Sequence, residues 1–242
     1  MRRSNKFEES AFEEKIEKLL ISLEIPYRQS AAYCLAFYHR SALNEYMLAE
    51  SNERVEYLGD AVLELITTDY LYRAYPDAAE GKLTDIRSAL VRGRNLADIS
   101  SKLDLGSLIL LSRGEAQAGG ATNPYILANV LEALIGCTYL DAGFDAARDL
   151  IHTHVISTLP SILASSLHVD PKSHLQEIIQ SWDMTTPTYR VLEEIGADHN
   201  KIYRIGVYYG ERLIGEGAGT SKKKAESVAA ENALTRQAEW SK

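Results

Sequence analysis

A chain of 242 residues is long enough for one large domain or two modest ones. Its 45% hydrophobic and 25% charged residues are those of a folded chain with a sizeable core, which excludes a disordered or low-complexity polypeptide. The net charge of −8 argues at first against a nucleic-acid binder, yet residues 1–169 carry 16 Lys/Arg against 23 Asp/Glu while 170–242 carry 10 against 11. The acidity therefore belongs to the first two thirds, which would repel phosphates unless metal ions bridged them. Cys34 and Cys137 lie in apolar helical patterns and read as buried free thiols of a reducing compartment. The start M-R-R-S-N-K-F-E-E has no apolar stretch behind its basic residues, and no apolar run approaches 18 residues. Neither a signal peptide nor a membrane span is expected, and a soluble, cytoplasmic location is.

In chain order, 11–23 is an amphipathic helix with Phe12, Ile16, Leu19, Leu20 and Leu23 inward, ending before Pro26. A second helix is expected over 30–46, within which His39 reads as structural. The third, beginning N-E-R-V-E-Y-L-G-D-A-V-L-E-L at Asn52 and stopping at Pro76, is the informative one. At 100° per residue Glu53, Glu56, Asp60 and Glu64 fall within an arc of roughly 80°, with Val55, Leu58, Val62, Leu65 and Ile66 clustered opposite. No Lys or Arg sits at i+4 from Glu53, Glu56 or Asp60 to offset the repulsion. Gly59 costs about 1 kcal/mol against Ala in mid-helix, unless something approaches the backbone there. A divalent cation held by the acids would account for both features.

Helices follow over 82–90 and 94–103, then an apolar stretch 105–111 and a glycine-containing loop, 113–124. The run 125–140 is apolar on nearly every side and so buried, yet it carries Asn129 and Glu132 one turn apart on one face. A buried carboxylate needs a partner or a shifted pKa. Three acids and an amide oxygen, with no Cys or His, suit Mg²⁺ or Mn²⁺ and not zinc. A helix over 146–159 closes this part.

Together these segments carry a resemblance. N-E-R-V-E-Y-L-G-D-A-V-L (52–63) resembles the signature motif of the ribonuclease III family, and I-L-A-N-V-L-E-A-L-I-G (126–136) its second acidic motif. His39-Arg40-Ser41 matches the tripeptide upstream, and E-G-K-L-T-D-I-R-S-A-L-V (80–91) the segment that follows the signature. The resemblance implies that Glu56, Asp60, Asn129 and Glu132 are the metal ligands, with Asp60 and Glu132 catalytic. Glu53 and Glu80 match supporting acids, and Tyr57 a residue that inserts into the partner of a homodimer. Two departures stand out: the family commonly has Asp where this chain has Asn129, and the 119–122 loop lacks an arginine often found there.

Residues 161–170, with Ser161, Ser165 and Ser166, read as a linker. Beyond it the periodicity changes: a helix over 172–182, strands over 188–195, 201–209 and 211–217, and a helix over 221–238. That last helix has Ser221 as N-cap, then Lys222, Lys223 and Lys224 in its first turn, where cations oppose the helix dipole unless a phosphate binds. G-E-G-A-G-T-S-K-K-K-A-E-S-V-A-A (215–230) resembles the end of a double-stranded RNA-binding domain. In that resemblance Gln176 and Glu177 lie on the first RNA-contacting helix, His199 in a loop entering the minor groove, and Lys222 and Lys223 on RNA. Such domains read A-form shape more than sequence.

The expected architecture is an all-α nuclease domain over 1–160, a linker over 161–170 and an α-β-β-β-α domain over 171–240. The implied function is Mg²⁺-dependent hydrolysis of double-stranded RNA, leaving 5′-phosphate and 3′-hydroxyl ends, in rRNA or mRNA precursor processing. The alternative is an inactive nuclease fold that only binds duplex RNA or ribosomes.

Overall fold

The computed structural model describes residues 8–164, 171–196 and 201–241, and the chain divides into two compact units at His168/Val169. The first unit is helical: α1 (Glu9–Ser22), α2 (Ser30–Cys34), α3 (Leu43–Tyr46), α4 (Glu53–Ala74), α5 (Glu80–Leu90), α6 (Gly93–Lys102), α7 (Arg113–Gln117), α8 (Pro124–Ala142), α9 (Phe144–His154) and α10 (Leu159–Ala164). The single helix expected over 30–46 is broken. The backbone extends at Tyr38 and His39, where Tyr38 bridges to Leu110 in parallel fashion, and a 3-10 turn over Arg40–Ala42 follows. The loop expected over 113–124 is instead ordered, as α7 and a 3-10 turn over Gly120–Thr122. Helix also continues past the expected boundary at 160, because Leu159 and Ile162 of α10 are buried in the first core.

α8 runs through the middle of this unit. Asn123 caps it by accepting from the Tyr125 N–H, and Pro124 fills its first turn, where a missing N–H costs nothing. Buried residues on nearly every side, among them Ile126, Val130, Leu131, Leu134 and Ile135, stabilise the unit by about 2 kcal/mol each. By length and composition α8 could cross a membrane, contrary to the reading that no run came close to that length, but most of it is buried within the unit.

α4 crosses α8 at two glycines. A Cβ on Gly59 would lie 1.8 Å from the Glu132 carbonyl oxygen, and one on Gly136 2.2 Å from that of Val55. The close approach that Gly59 permits is therefore that of the neighbouring helix, not of a cation. The start of α4 is pinned by Asn52, which is buried. Its N–H donates to the Tyr38 carbonyl at 2.9 Å and its side-chain amide to that of Ala36 at 3.0 Å. Because α8 sits on the Gly59 side, the core face of α4 is rotated from the expected one: Leu63 is fully buried and Leu65, expected inside, is 58% exposed.

The second unit comprises α11 (Pro171–Asp183), an antiparallel sheet of β1 (Thr188–Ile195), β2 (Ile202–Tyr209) and β3 (Arg212–Gly219), then α12 (Lys222–Thr235) and α13 (Gln237–Trp240). Gly215, Gly217 and Gly219 alternate along β3 and lie against the Ala225–Ala233 face of α12, where any Cβ would meet helix backbone within 2.7 Å. The helix expected over 221–238 ends at Thr235. Trp240, one turn on, is buried against Trp182 and Tyr209 and donates its Nε1–H to the Ala233 carbonyl.

The glycine crossing yields a test. Gly59→Ala forces a Cβ into the α8 backbone and should cost about 3 kcal/mol in urea denaturation. Gly81→Ala, with open space around it, should change stability by no more than about 1 kcal/mol. Equal effects would mean that the crossing tolerates a methyl group.

Candidate active site and nucleic-acid interface

Crossing at Gly59 and Gly136 sets the polar edges of the two helices side by side. Glu56 and Asp60 lie one turn apart on α4, and Asn129 and Glu132 nearly one turn apart on α8. All four line one cavity of about 870 Å³, together with Tyr57, Arg94, Asp98 and Tyr125. Glu56, Asn129 and Tyr125 also line an adjoining cavity of about 220 Å³, with His39, Arg40, Glu53 and Glu115. A further cavity of about 850 Å³, lined by Leu35, Met47, Leu48 and Leu140 among others, contains none of these acids, so size does not locate the chemistry.

Electrostatics marks the four-residue cluster. Burial, then the charges of Asp60 and Glu56, raise the Glu132 pKa to about 8. Glu56 is also raised, by burial first and then by Glu53 and Asp60, while a hydrogen bond from Asn129 pulls it back. The carboxylates thus repel one another with little local compensation. Among the described residues no three His, Cys, Asp or Glu side chains are already gathered around a single point that could hold an ion. The donor set itself, three carboxylates and an amide oxygen facing one cavity, fits a hard divalent cation.

The remaining predicted residues are placed less uniformly. Glu53 faces the smaller cavity, accepts from the Ser51 hydroxyl at 2.8 Å and stands 3.7 Å from Arg40. Glu80, in the first turn of α5, accepts from Thr84 at 3.1 Å and is not among the residues lining either cavity. Tyr57 is 81% exposed. His39 caps the turn at Arg40–Ala42, its Nδ1 accepting from the Ser41 N–H, which agrees with a structural role. Cys34 and Cys137 are buried free thiols, pushed by burial to about 11 and about 12. Sequence reasoning missed Arg94, Asp98 and Tyr125. The first two lie on α6, whose placement depends on long-range contacts such as the buried Ser100 hydroxyl donating to the Leu127 carbonyl at 2.7 Å.

In the second unit Gln176 and Glu177 are exposed on α11, and His199 lies outside the described residues. Ser221 caps α12 as expected, accepting from the Lys224 N–H at 3.3 Å. Much of the unit's positive charge is already paired, Arg190 with Glu211, Arg204 with Glu216 and Arg236 with Glu239. Lys222 stands 3.7 Å from Glu194 and over the Tyr203 ring, whereas Lys223 and Lys224 make no ion pair among the described residues. A near-neutral unit thus keeps two lysines, Lys223 and Lys224, unpaired among the described residues at a helix start.

Comparison with known proteins agrees with this layout. Residues 31–159 match the ribonuclease-III-like family and residues 171–236 the double-stranded RNA binding motif. Proteins named Ribonuclease 3 from Syntrophomonas wolfei and Oceanobacillus iheyensis are 39% and 42% identical, over 90% and 88% of this chain and 93% of each relative. The nuclease domain of ribonuclease III from Campylobacter jejuni, described as having a region involved in dimer formation, superposes with a TM-score of 0.56 at 38% identity. That match covers 60% of this chain and 99% of the other.

Two outcomes are expected. Glu132, raised from its ordinary 4.5 to about 8, contributes stability that is present below about pH 4.5 and lost as pH rises through about 8. Without metal, Glu132→Gln should therefore melt above the wild type at pH 8.5, with the gap closing toward pH 5; a gap independent of pH would contradict the shift. In the second unit, Lys222→Ala/Lys223→Ala should reduce the slope of log affinity against log salt on duplex RNA by about one to two. Because Lys222 already has an acidic partner, the larger share should come from Lys223, as the single variants would show.

Proposed function

The chain belongs to the ribonuclease III family, and from that premise we infer that Glu56, Asp60, Asn129 and Glu132 form the metal-binding centre of a double-stranded-RNA endonuclease. The observation that carries this reading is the Glu132 carboxyl, raised to about 8 beside Glu56 and Asp60 in a cavity open to substrate. A group so costly to ionise is retained where a cation is to be bound. When bound, Mg²⁺ (or Mn²⁺) supplies Lewis acidity and positive charge to the water and the phosphodiester.

The protein's own groups do the rest. Asn129 stands beside Glu56 in both cavities and favours its ionised form against burial and the neighbouring acids. Burial and the neighbouring acids favour the protonated form of Glu132, so a proton competes with a cation for its oxygens and metal affinity is coupled to pH. Water attacks phosphorus, the bond to the 3′-oxygen breaks, and the products carry 5′-phosphate and 3′-hydroxyl ends. No protein nucleophile is needed. The second unit supplies sequence-independent affinity for A-form duplex, as suits structured rRNA and mRNA precursors.

A homodimer completes this reading. Tyr57, Leu65 and Tyr72 are 81%, 58% and 72% exposed and fall within about 80° of one another on α4. An apolar stripe along an otherwise acidic helix is suited to a second copy of itself. Buried free thiols suit the reducing cytoplasm.

The test is incubation with long duplex RNA with and without Mg²⁺, followed by analysis of product ends. Metal-dependent scission to 5′-phosphates is expected for the wild type and none for Glu132→Gln, whose duplex binding should persist; near-normal turnover by that variant would remove Glu132 from the metal site. Asn129→Asp, nearly isosteric, adds a ligand charge and should lower the Mg²⁺ concentration for half-maximal cleavage several-fold. It should also enlarge the melting-temperature rise on adding Mg²⁺. Superimposable titrations would mean that Asn129 does not touch the metal.

A further inference from the structure

The two cavities at the acids adjoin, since Glu56, Tyr125 and Asn129 line both, and together they border one acidic trough. Each cavity holds one arginine among several acids, Arg94 with Asp98 in the larger and Arg40 with Glu53 and Glu115 in the smaller. Arg94, on the first turn of α6, is the sole Lys or Arg among the residues lining the larger cavity, and Arg40 the sole one lining the smaller. Each arginine lines only one of the two cavities, so the shared Glu56 and Asn129 stand at the junction between them.

Both arginines are available to an incoming anion. Arg94 is exposed and makes no ion pair among the described residues. Arg40 reaches Glu53 only at 3.7 Å, with the two side chains 72% and 57% exposed, a pair that water largely screens. Their backbones are nonetheless fixed. α6 is tied to α8 through Ser100 and to Leu90 through Asn95, whose amide donates to the Leu90 carbonyl at 2.7 Å. The turn bearing Arg40 is held by the His39 cap and by the Ser112 N–H, which donates to the Ser41 hydroxyl at 3.1 Å. Thr122 also lines the larger cavity, and Arg94 is the one cation among the residues lining it.

We infer that Arg94 and Arg40 are positioning residues that grip the backbone phosphates on either side of the scissile one, laying one RNA strand along the trough. Guanidinium forks suit phosphate oxygens, and contacts to phosphate fix register without reading sequence. The inference rests on the nuclease reading above.

The experiment uses the full-length protein, Mg²⁺ and a short RNA duplex with a single cleavage point, with and without a methylphosphonate replacing the phosphate on either side. Arg94→Ala and Arg40→Ala should each raise KM about 5- to 20-fold and change kcat less than 3-fold. Each should reduce the salt slope of kcat/KM by about one, and Lys at either position should restore part of the loss. Neutralising one flanking phosphate should slow the wild type but add nothing to the loss in the variant whose arginine grips it. If both variants keep wild-type KM and salt dependence, or lose rate additively with every methylphosphonate, the assignment is overturned. If the wild type itself makes no Mg²⁺-dependent cut, the nuclease reading fails first. Since both side chains are exposed, unchanged melting temperatures are expected and serve as the folding control.

Discussion

Everything in the first unit that matters for chemistry depends on how closely α4 and α8 can approach. With Gly59 against the Glu132 carbonyl and Gly136 against that of Val55, the helices touch backbone to backbone. Two rows of polar side chains, each of which would be unremarkable alone, then border one cavity. A methyl group at either glycine would push the helices apart and move Asp60 and Glu132 with them. Specificity of position is obtained here from the smallest side chain, because only it leaves room for the closest packing.

The same crossing sets the electrostatic character of the site. Glu132 lies on a helix that is otherwise apolar and buried, so its charge is poorly solvated, and Asp60 and Glu56 add repulsion across the junction. A cluster built this way is costly in its fully ionised form, and the large apolar faces of α8 supply the stability that makes it tolerable. One arginine lines each of the two cavities that share Glu56 and Asn129, Arg94 the larger and Arg40 the smaller.

The second unit solves a different problem with the same device. Alternating glycines on β3 let α12 settle onto the sheet through its alanines, which fixes the direction of a helix whose first turn is all lysine. Arg190, Arg204 and Arg236 are occupied by glutamates, whereas Lys223 and Lys224 at the α12 start make no ion pair among the described residues. A net charge near zero therefore says little about where phosphate can bind.

Much was legible from residue order alone. Period and caps gave the helical first part, the change to strand alternation after 171, and the Ser221 start of α12. The uncompensated acids with Asn129 and Glu132 gave the candidate centre, because local charge spacing needs no tertiary information. What residue order left undecided is everything that depends on which side of a helix meets its neighbour. Leu65 looked like core and is exposed, since α8 docks on the Gly59 side and rotates the buried face of α4 away from it. Gly59 was read as room for a cation and is room for a helix. The break at Tyr38 and His39, the order in 113–122, and the arrival of Arg94 beside the acids follow from contacts between segments tens of residues apart. Hydrophobic period fixes which residues can be buried, but only the packed structure decides which partner buries them, because that choice depends on backbone distances no single helix contains.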